Sequence, residues 1–337
     1  MLYILKLDNQ YDKSFHMNVT DQLSRLKVKE VFSDSVKRPI LSVHPDTKLL
    51  EVATYLAIGP EIYVDGLVVI TEEYHNGEKM QVPVGMIGGK NVLRSILDNS
   101  FDRKEDFFGD VTASQIMVEI TQSDWVELES PLNKVIDVFG RTRFAFIPVI
   151  STIKEHDTNK PAIIGTLTIR DFLPLLVNKK IQFNDDDNKG TINQISSPIV
   201  SVSGDCTIKD AIGIMVNKGI RNIGILNCQG YDNEHEGKGI VEEKGSKIPC
   251  IVNDRKIMEF LLSHNRRAKS NPIFSTVSDL DTIQTRAMKS DISIMEAAQY
   301  LMDIKNQFLV LEGNEYIVTP WDLIMKTAGN GDERDNQ

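Results

Sequence analysis

Two short segments of the chain combine residue types that can hold a sugar phosphate. These are Thr168-Ile-Arg-Asp171 and Thr319-Pro-Trp-Asp322. Each follows a short apolar run that suits a buried strand and precedes residues that begin an apolar helical face. Each Thr-x-x-Asp is therefore predicted to lie at a helix N-terminus, where unpaired N–H groups and the positive dipole end attract an anion. The carboxylate accepts hydrogen bonds from vicinal hydroxyls, so the pattern fits a ribose phosphate.

The same spacing has a purely structural interpretation. A Thr followed three residues later by an acid, just before an apolar run, is the capping-box pattern of an ordinary helix start. Pro320 at the first helical position strengthens that interpretation for the second segment. One isolated copy would favour capping alone, so the repetition along the chain matters.

Two weaker copies of the strand-to-helix junction occur elsewhere. Val84-Gly-Met-Ile-Gly88-Gly-Lys-Asn91 has Gly88 and Asn91 at the two motif positions, and Pro249-Cys-Ile-Val-Asn253-Asp-Arg-Lys256 has Asn253 and Lys256. The four junctions begin at positions 85, 165, 250 and 316, separated by 80, 85 and 66 residues. These periods suit small βαββα units better than helical solenoid repeats.

The elements that must position each junction recur in the same order. A short apolar strand comes first, near residues 39–43, 116–118, 198–202 and 283. An amphipathic helix follows, with apolar residues at i, i+3, i+4 and i+7 spacing. These residues are Leu49, Val52, Ala53, Leu56; Leu132, Val135, Ile136, Phe139; Ile208, Ala211, Ile212, Met215; and Ile294, Ala297, Ala298, Leu301, Met302. A strongly apolar strand and a polar hairpin loop then lead to the junction.

Composition limits the class of protein. The 337 residues are 41% hydrophobic and 26% charged with a net charge of −10, which suits a globular protein and disfavours a nucleic-acid partner. The N-terminal apolar stretch is too short for a signal peptide and no segment approaches membrane-spanning length, so we expect a cytoplasmic protein without a membrane partner. Cys206, Cys228 and Cys250 form no C-x-x-C pair and predict small buried residues, without a disulfide framework or zinc site.

Polar connectors divide the chain. We expect a lead-in segment over 1–27 and a disordered tail over 329–337, with the four repeats between them spanning 28–98, 110–177, 191–263 and 282–328.

The fourfold βαββα order, with Gly-x-x-Thr-x-x-Asp closing the second repeat, resembles the cystathionine-β-synthase (CBS) domain family. CBS domains associate in pairs called Bateman modules, and four in one chain are similar to the arrangement in gamma subunits of AMP-activated protein kinase. The resemblance covers about 28–328. It implies an α+β fold of four CBS repeats in two tandem pairs, forming a disk-like assembly that binds adenine nucleotides.

The resemblance also implies roles for the motif residues. The family's Asp binds the ribose hydroxyls and its Thr helps to hold the phosphate. These roles transfer to Thr168 with Asp171 and to Thr319 with Asp322. Repeats 1 and 3 depart from the pattern at Gly88, Asn91, Asn253 and Lys256. We therefore expect two competent sites, one per module, and two degenerate ones.

Further candidates line the implied pocket. The family's first strand of the neighbouring repeat lines the adenine pocket, which implies Ile40 and Ser42 for the repeat 2 site and Ile199 and Ser201 for the repeat 4 site. A buried strand face is the alternative for these four. Arg143, Arg221 and Lys305 occupy the neighbourhood that supplies phosphate contacts, and a solvated helix end is the alternative for each.

No catalytic constellation accompanies these motifs. The six histidines are scattered, and neither H-E-x-x-H, Walker A nor G-x-S-x-G occurs. The leading hypothesis is a non-catalytic regulatory sensor of AMP, ADP or ATP, with S-adenosylmethionine or NADH less favoured and no metal. The alternative is a scaffold with vestigial sites that binds a protein partner or forms a homodimer. A third hypothesis, an enzyme subunit with unrecognised catalysis, has no supporting constellation.

Overall fold

The structure is a computed structural model, and it describes eleven stretches of the chain. They are 19–35, 40–58, 65–75, 77–102, 107–155, 158–181, 192–226, 250–265, 271–283, 287–313 and 315–328. The expected disordered tail, most of the lead-in segment and residues 227–249 lie outside the described residues.

The described helices number eleven. They are α1 (Val19–Arg25), α2 (Val28–Ser35), α3 (Leu49–Ala57), α4 (Gly89–Asp102), α5 (Ala113–Ile116), α6 (Leu132–Thr142), α7 (Leu173–Val177), α8 (Ile208–Lys218), α9 (Asp254–His264), α10 (Ile294–Met302) and α11 (Pro320–Thr327). Short 3-10 turns occur at Gln122–Asp124, Ile169–Phe172, Ile192–Gln194, Pro272–Phe274 and Val277–Asp279.

The described strands number fourteen and form four small sheets. They are β1 (Ser42–Val43), β2 (Gly66–His75), β3 (Glu78–Gly88), β4 (Val118–Glu119), β5 (Val126–Glu127), β6 (Phe146–Glu155), β7 (Thr158–Thr168), β8 (Ser197–Pro198), β9 (Ser201–Ser203), β10 (Asn222–Leu226), β11 (Cys250–Asn253), β12 (Ala287–Met288), β13 (Leu309–Leu311) and β14 (Tyr316–Val318). The α+β class is therefore confirmed.

Each sheet is built around one repeat in the same way. A short strand pairs in parallel with the first strand of an antiparallel hairpin, as in β1 with β2, β5 with β6, β9 with β10 and β12 with β13. The connecting helix is α3, α6, α8 or α10, and the helix after the hairpin is α4, α7, α9 or α11. We number these units repeats 1 to 4. The hairpins of repeats 1 and 2 are longer than the sequence predicted and carry a bulge at Val69/Ile70 and at Val149/Ile150.

Strands are also exchanged between neighbouring repeats. β4, which precedes the first strand of repeat 2 (β5), pairs with β3 of repeat 1, and β8, which precedes the first strand of repeat 3 (β9), pairs with β14 of repeat 4. Ile283, which precedes the first strand of repeat 4 (β12), bridges to Ile251 of repeat 3. Because backbone hydrogen bonds cross each pair, repeats 1 and 2 form one module and repeats 3 and 4 another.

The amphipathic helices bury the faces that the sequence predicted. The expected apolar residues of α3, α6, α8 and α10 are buried, with one exception. Met302, at the end of α10, is 46% exposed. Its side chain lines a cavity described below, at the point where α10 ends.

Two large cores join the modules. In one, α3 packs against α9 and α4 against α8, so that repeats 1 and 3 share apolar side chains. In the other, α7 packs against α10, and repeats 2 and 4 share theirs. Smaller clusters fill the contacts of repeat 1 with repeat 2 and of repeat 3 with repeat 4. The described repeats thus form a closed cycle of four interfaces.

The lead-in helices belong to repeat 2 in space. Although a boundary at residue 28 would assign α2 to repeat 1, α2 contacts β7 and the turn at Ile169–Phe172, and α1 contacts α6. The backbone N–H of Val28 donates to the carbonyl of Ser130 at 2.9 Å. No sequence signal predicts this placement, since an amphipathic helix does not indicate which surface it covers.

The cysteines differ from one another. Cys206 is a free, partly buried thiol, as expected. Cys250, at the start of β11, is disulfide-bonded. The cysteine spacing predicted no disulfide, since it contains no C-x-x-C pair, and that prediction is wrong for Cys250.

Candidate functional site

The repeat 2 motif forms a capping box at the end of β7. The backbone N–H of Thr168 donates to Asp171 Oδ2 at 2.7 Å, and Thr168 Oγ1 donates to the same oxygen at 3.2 Å. Thr168 is buried, whereas Asp171 is half-buried. The capping role that the spacing predicted is therefore present, and the half-buried carboxylate of Asp171 lies at the surface.

A cavity of about 350 Å³ lies beside Asp171. It is enclosed by α2, by the start of α7 and by the end of α10, so three separate parts of the chain build it. Its lining residues are Glu30, Val31, Arg170, Asp171, Pro174, Leu175, Asn178, Lys180, Met302 and Ile304. Arg170 and Lys180 place cationic groups in the same cavity as the motif carboxylate. Glu30 adds a second carboxylate, so the cavity offers cationic groups to an anion and carboxylates to hydroxyl donors.

Arg170 links this motif to repeat 4. Its Nη1 donates to the carbonyl oxygen of Leu301 at 2.6 Å, and its Nη2 donates to that of Asn306 at 3.1 Å. The guanidinium therefore satisfies carbonyls at the C-terminal end of α10, where helical carbonyls lack intrahelical donors. Sequence reasoning missed this residue, because its partners lie more than 130 positions away.

The repeat 4 motif has the same capping geometry in different surroundings. Thr319 donates to Asp322 Oδ2 from its backbone N–H at 2.9 Å and from its hydroxyl at 2.6 Å. Asp322 is only 7% exposed. Its Oδ1 accepts a hydrogen bond from Ser197 Oγ at 2.7 Å, and Lys326 Nζ lies 3.7 Å from the same oxygen. This carboxylate therefore joins β8 to α11.

In repeat 1, the two residues that depart from the motif, Gly88 and Asn91, form a local helix cap. Asn91 Oδ1 accepts from the backbone N–H of Gly88 at 2.9 Å, and its Nδ2 donates to the carbonyl of Ile116 at 3.1 Å. The amide thus replaces the carboxylate in capping and attaches the segment that precedes repeat 2.

In repeat 3, one of the two residues that depart from the motif, Asn253, makes a contact with repeat 4. Asn253 Oδ1 accepts from the backbone N–H of Lys256 at 3.0 Å, and Asn253 Nδ2 donates to Gln307 Oε1 of repeat 4 at 2.6 Å. Lys256 Nζ donates to Glu259 at 2.8 Å. Both motif positions of this repeat have structural partners.

Arg221 is held by carboxylates. Its Nε donates to Asp254 Oδ2 at 2.8 Å and its Nη1 to Asp65 Oδ1 at 3.2 Å. Asp65 and Asp254 are both buried, so the guanidinium compensates two carboxylates between repeats 1 and 3. The phosphate contact expected for Arg221 competes with this ion pairing.

The other two expected cations are exposed. Arg143 follows α6 in the left-handed region with φ of 60°, and Lys305 follows α10. These positions match the alternative of solvated helix ends.

Of the four expected pocket-wall residues, Ser42 and Ser201 lie on the first strands β1 and β9, and Ile40 and Ile199 lie two residues before them. Ile40 packs against the cluster that joins repeats 1 and 2, and Ile199 against the cluster that joins repeats 3 and 4. Ser42 pairs with Val68 in β2 and is half-buried, whereas Ser201 pairs with Gly224 in β10 and is exposed. The two isoleucines thus occupy apolar interfaces, which is the buried-face alternative.

Capping boxes also occur far from the junctions. Thr121 with Asp124 and Thr276 with Asp279 have the same reciprocal hydrogen bonds. At Asp124, burial alone would raise the carboxyl pKa. Hydrogen bonds from Thr121 and from the Arg141 guanidinium lower the pKa by more than burial raises it, so the net pKa is below its usual value. Thr-x-x-Asp alone therefore does not mark a ligand site. A nearby cavity does not distinguish Asp171 either, because Asp279 lines a second cavity of about 660 Å³ together with Lys256. Asp171 differs in that its capping box closes the strand-to-helix junction of a repeat.

Two other kinds of site were sought among the described residues. No group of three or more His, Cys, Asp or Glu side chains there could hold a metal ion. In that same part of the chain, no helix has the length and apolar character needed to span a bilayer.

Comparison with known proteins gives a structural match. A protein of Methanocaldococcus jannaschii, described as a candidate archaeal homologue of g-AMPK, superposes with a TM-score of 0.63 at 14% identity, over 89% of this chain and 99% of that one. The chain has a CBS-type fold. At this identity the match shows the fold alone.

Two further solved structures, both of CBS domain proteins, match with lower TM-scores. The CBS domain pair of another protein, in complex with 5′-methylthioadenosine and S-adenosyl-L-methionine, matches at 19% identity over 46% of this chain and 98% of that one, with a TM-score of 0.32. A Pyrobaculum aerophilum CBS domain protein complexed with AMP matches at 20% identity over 44% and 90%, with a TM-score of 0.30. No family model and no curated protein matches the sequence.

Proposed function

We propose that this CBS-type protein is a non-catalytic regulator that binds an adenosine-containing ligand at the repeat 2 motif. AMP, ADP and ATP are the favoured ligands, and S-adenosylmethionine and NADH are less favoured. The observation that carries the proposal is the placement of Asp171 in a cavity that also contains Arg170 and Lys180.

The chemistry of the cavity fits each part of such a ligand. In the proposed complex the Asp171 carboxylate accepts hydrogen bonds from the ribose hydroxyls, which are donors that a capped carboxylate can still serve. Lys180, exposed at the cavity, supplies a positive charge for the phosphate. Thr168 holds the carboxylate in position through the capping box.

The regulatory part of the proposal concerns the contact between modules. Arg170 precedes Asp171 and donates to carbonyls at the end of α10, and Met302 and Ile304 of repeat 4 line the same cavity. A ligand there contacts both modules. It shifts their relative placement to the extent that it binds one arrangement more tightly than another. We also propose that the four interfaces form a disk-like assembly.

A second candidate function is a scaffold that binds a protein partner or another copy of itself. The observation that favours it is the use of motif positions as structural contacts. Asp322 bonds to Ser197, Asn253 to Gln307, and Arg221 to Asp65 and Asp254. Such contacts stabilise the assembly without any ligand.

Thermal shift distinguishes the two functions. Since a ligand that binds the native state alone raises the melting temperature, at least one of AMP, ADP, ATP, NADH and S-adenosylmethionine should stabilise the wild-type protein. Asp171→Ala should lose that shift. Glu296→Ala removes a carboxylate from the capping box of Ser293, which lines neither cavity, and should retain it. A flat response to all five compounds would reject the sensor function and favour the scaffold.

A further inference from the structure

The carboxylate of the repeat 4 motif is already engaged on both oxygens. Thr319 donates twice to Asp322 Oδ2, while Ser197 Oγ donates to Asp322 Oδ1 at 2.7 Å. Lys326 Nζ donates to Ser197 Oγ at 3.0 Å and to the carbonyl oxygen of Ser196 at 3.1 Å. A hydroxyl donor and an ammonium therefore already occupy the surroundings of this carboxylate.

Burial strengthens this arrangement. The side chains of Asp322 and Lys326 are only 10% and 18% exposed. A ligand hydroxyl that approached Asp322 Oδ1 would have to compete with the Ser197 hydroxyl. It would also have to leave Lys326 paired, since an unpaired buried ammonium is costly.

The other repeats lack this lysine. Lys326 lies four residues after the motif acid, one helical turn along the same face. The corresponding residue is Ser95 in repeat 1, Leu175 in repeat 2 and Phe260 in repeat 3. In repeat 2, Leu175 is a buried apolar residue that lines the cavity beside Asp171 and offers the carboxylate no charge.

We propose that Ser197 and Lys326 are specificity-determining residues that close the repeat 4 motif. The Ser197 hydroxyl occupies the position beside the motif carboxylate that a ribose hydroxyl would need. The Lys326 ammonium already supplies the positive charge next to that carboxylate. The motif then binds no nucleotide, and the chain binds one ligand, at Asp171. This inference rests on the proposed sensor function and adds the number of sites to it.

Isothermal titration of the full chain tests the proposal with AMP, ADP, ATP, NADH and S-adenosylmethionine as separate probes. The wild-type protein should bind one equivalent of at least one probe. Asp171→Ala should weaken that binding at least tenfold, and Asp322→Ala should leave it within about twofold. The double variant Ser197→Ala/Lys326→Met should bind a second equivalent, which Asp322→Ala in that background should remove.

Control variants distinguish closure of the repeat 4 motif from a general loss of stability. Lys218→Met removes an exposed lysine from the last turn of α8 and should keep one equivalent. Lys326→Arg keeps the cation and should also stay closed. Ser197→Ala alone provides an opened variant if the double variant does not fold, and it should show the second equivalent at lower affinity.

The outcomes distinguish this inference from the proposed function. Two equivalents in the wild-type protein, one lost with each Asp variant, would overturn the closure and leave the sensor function standing. One equivalent in a folded Ser197→Ala/Lys326→Met variant would also overturn the closure. Absence of binding in both the wild-type and the opened variants would overturn both proposals.

Discussion

Repeats 2 and 4 share one motif and one capping geometry, yet they use the motif carboxylate differently. In repeat 2, Asp171 is half-buried at a cavity that α2 and α10 help to enclose. In repeat 4, Asp322 is buried against Ser197 and Lys326. The comparison teaches that a Thr-x-x-Asp segment reports a helix start. The neighbouring elements decide whether its carboxylate faces a ligand or holds two repeats together.

The two contacts between modules also differ in the partners of their arginine side chains. Between repeats 1 and 3, Arg221 compensates the buried carboxylates of Asp65 and Asp254. Between repeats 2 and 4, Arg170 donates to backbone carbonyls beside the cavity. Since removal of one member of a buried ion pair leaves a costly charge, the first contact favours a fixed arrangement. The second is the better placed to respond to a ligand.

The largest expected effect is on stability at the two motif acids. Asp322→Ala should destabilise the fold by about 3 kcal/mol, because Lys326 and Ser197 lose their buried partner. Asp171→Ala should cost less, about 1 kcal/mol, because Asp171 is half-buried and caps a short helical turn. Urea unfolding at neutral pH, followed by circular dichroism, measures both. Asp279→Ala is the matched control for capping, and equal losses for Asp171→Ala and Asp322→Ala would remove the distinction between the repeats.

An intermediate effect is expected at Gly165, where α2 covers repeat 2. A Cβ atom there would collide with the ring of Phe32, so Gly165→Ala should destabilise the protein by about 2 kcal/mol. The corresponding residue of β14 in repeat 4 is Tyr316, which is 45% exposed, and Tyr316→Ala should cost about 0.5 kcal/mol.

Denaturant unfolding checks this pair of variants. Adding Phe32→Leu to Gly165→Ala should recover part of the loss, because the smaller side chain removes the collision. A Gly165→Ala protein as stable as the wild type would show that α2 does not pack tightly on β7.

The smallest expected effect is a pH dependence of the attachment of the lead-in helices to repeat 2. Lys27 and Lys29 hydrogen-bond to Glu129 and lower its carboxyl pKa to about 2. A lowered pKa in the folded state contributes stability above the ordinary glutamate value near 4.5, and that contribution is lost as pH falls toward about 2. The contribution is small, because the pair is exposed to solvent.

Melting temperatures of the wild-type and Glu129→Gln proteins across pH test this attachment. The difference should be largest above pH 4.5 and should shrink as pH falls. It should also shrink at high salt, because salt screens exposed ion pairs. Glu119→Gln, at an exposed residue of β4, serves as the control. A difference independent of pH and salt would mean that Glu129 does not hold the lead-in helices electrostatically.

Much of the fold could be predicted because its signals are local. The helical spacing of Leu49, Val52, Ala53 and Leu56 predicted a buried face, and all four side chains are buried. The spacing at Met302 predicted burial too, but that side chain is exposed, because periodicity does not show where the neighbouring element ends.

The candidate site was predictable only in part. Thr168 and Asp171 were found from their types and spacing, whereas Arg170 was not, since its partners Leu301 and Asn306 are remote in sequence. Arg221 was predicted near phosphate from its position along the chain, yet the structure pairs it with two buried carboxylates. A long cationic side chain reaches several partners, and only three-dimensional proximity selects among them.

The repeated βαββα order, the helix starts and the capping boxes could be predicted from the sequence, because strand and helix periodicity and capping depend on neighbouring residues. The tertiary structure was needed to show which repeats share a core, that α2 covers repeat 2, and that Lys326 and Ser197 surround Asp322 while Asp171 faces a cavity. Those outcomes depend on surfaces that come from distant parts of the chain, and apolar packing and buried charge compensation are satisfied only once those surfaces meet.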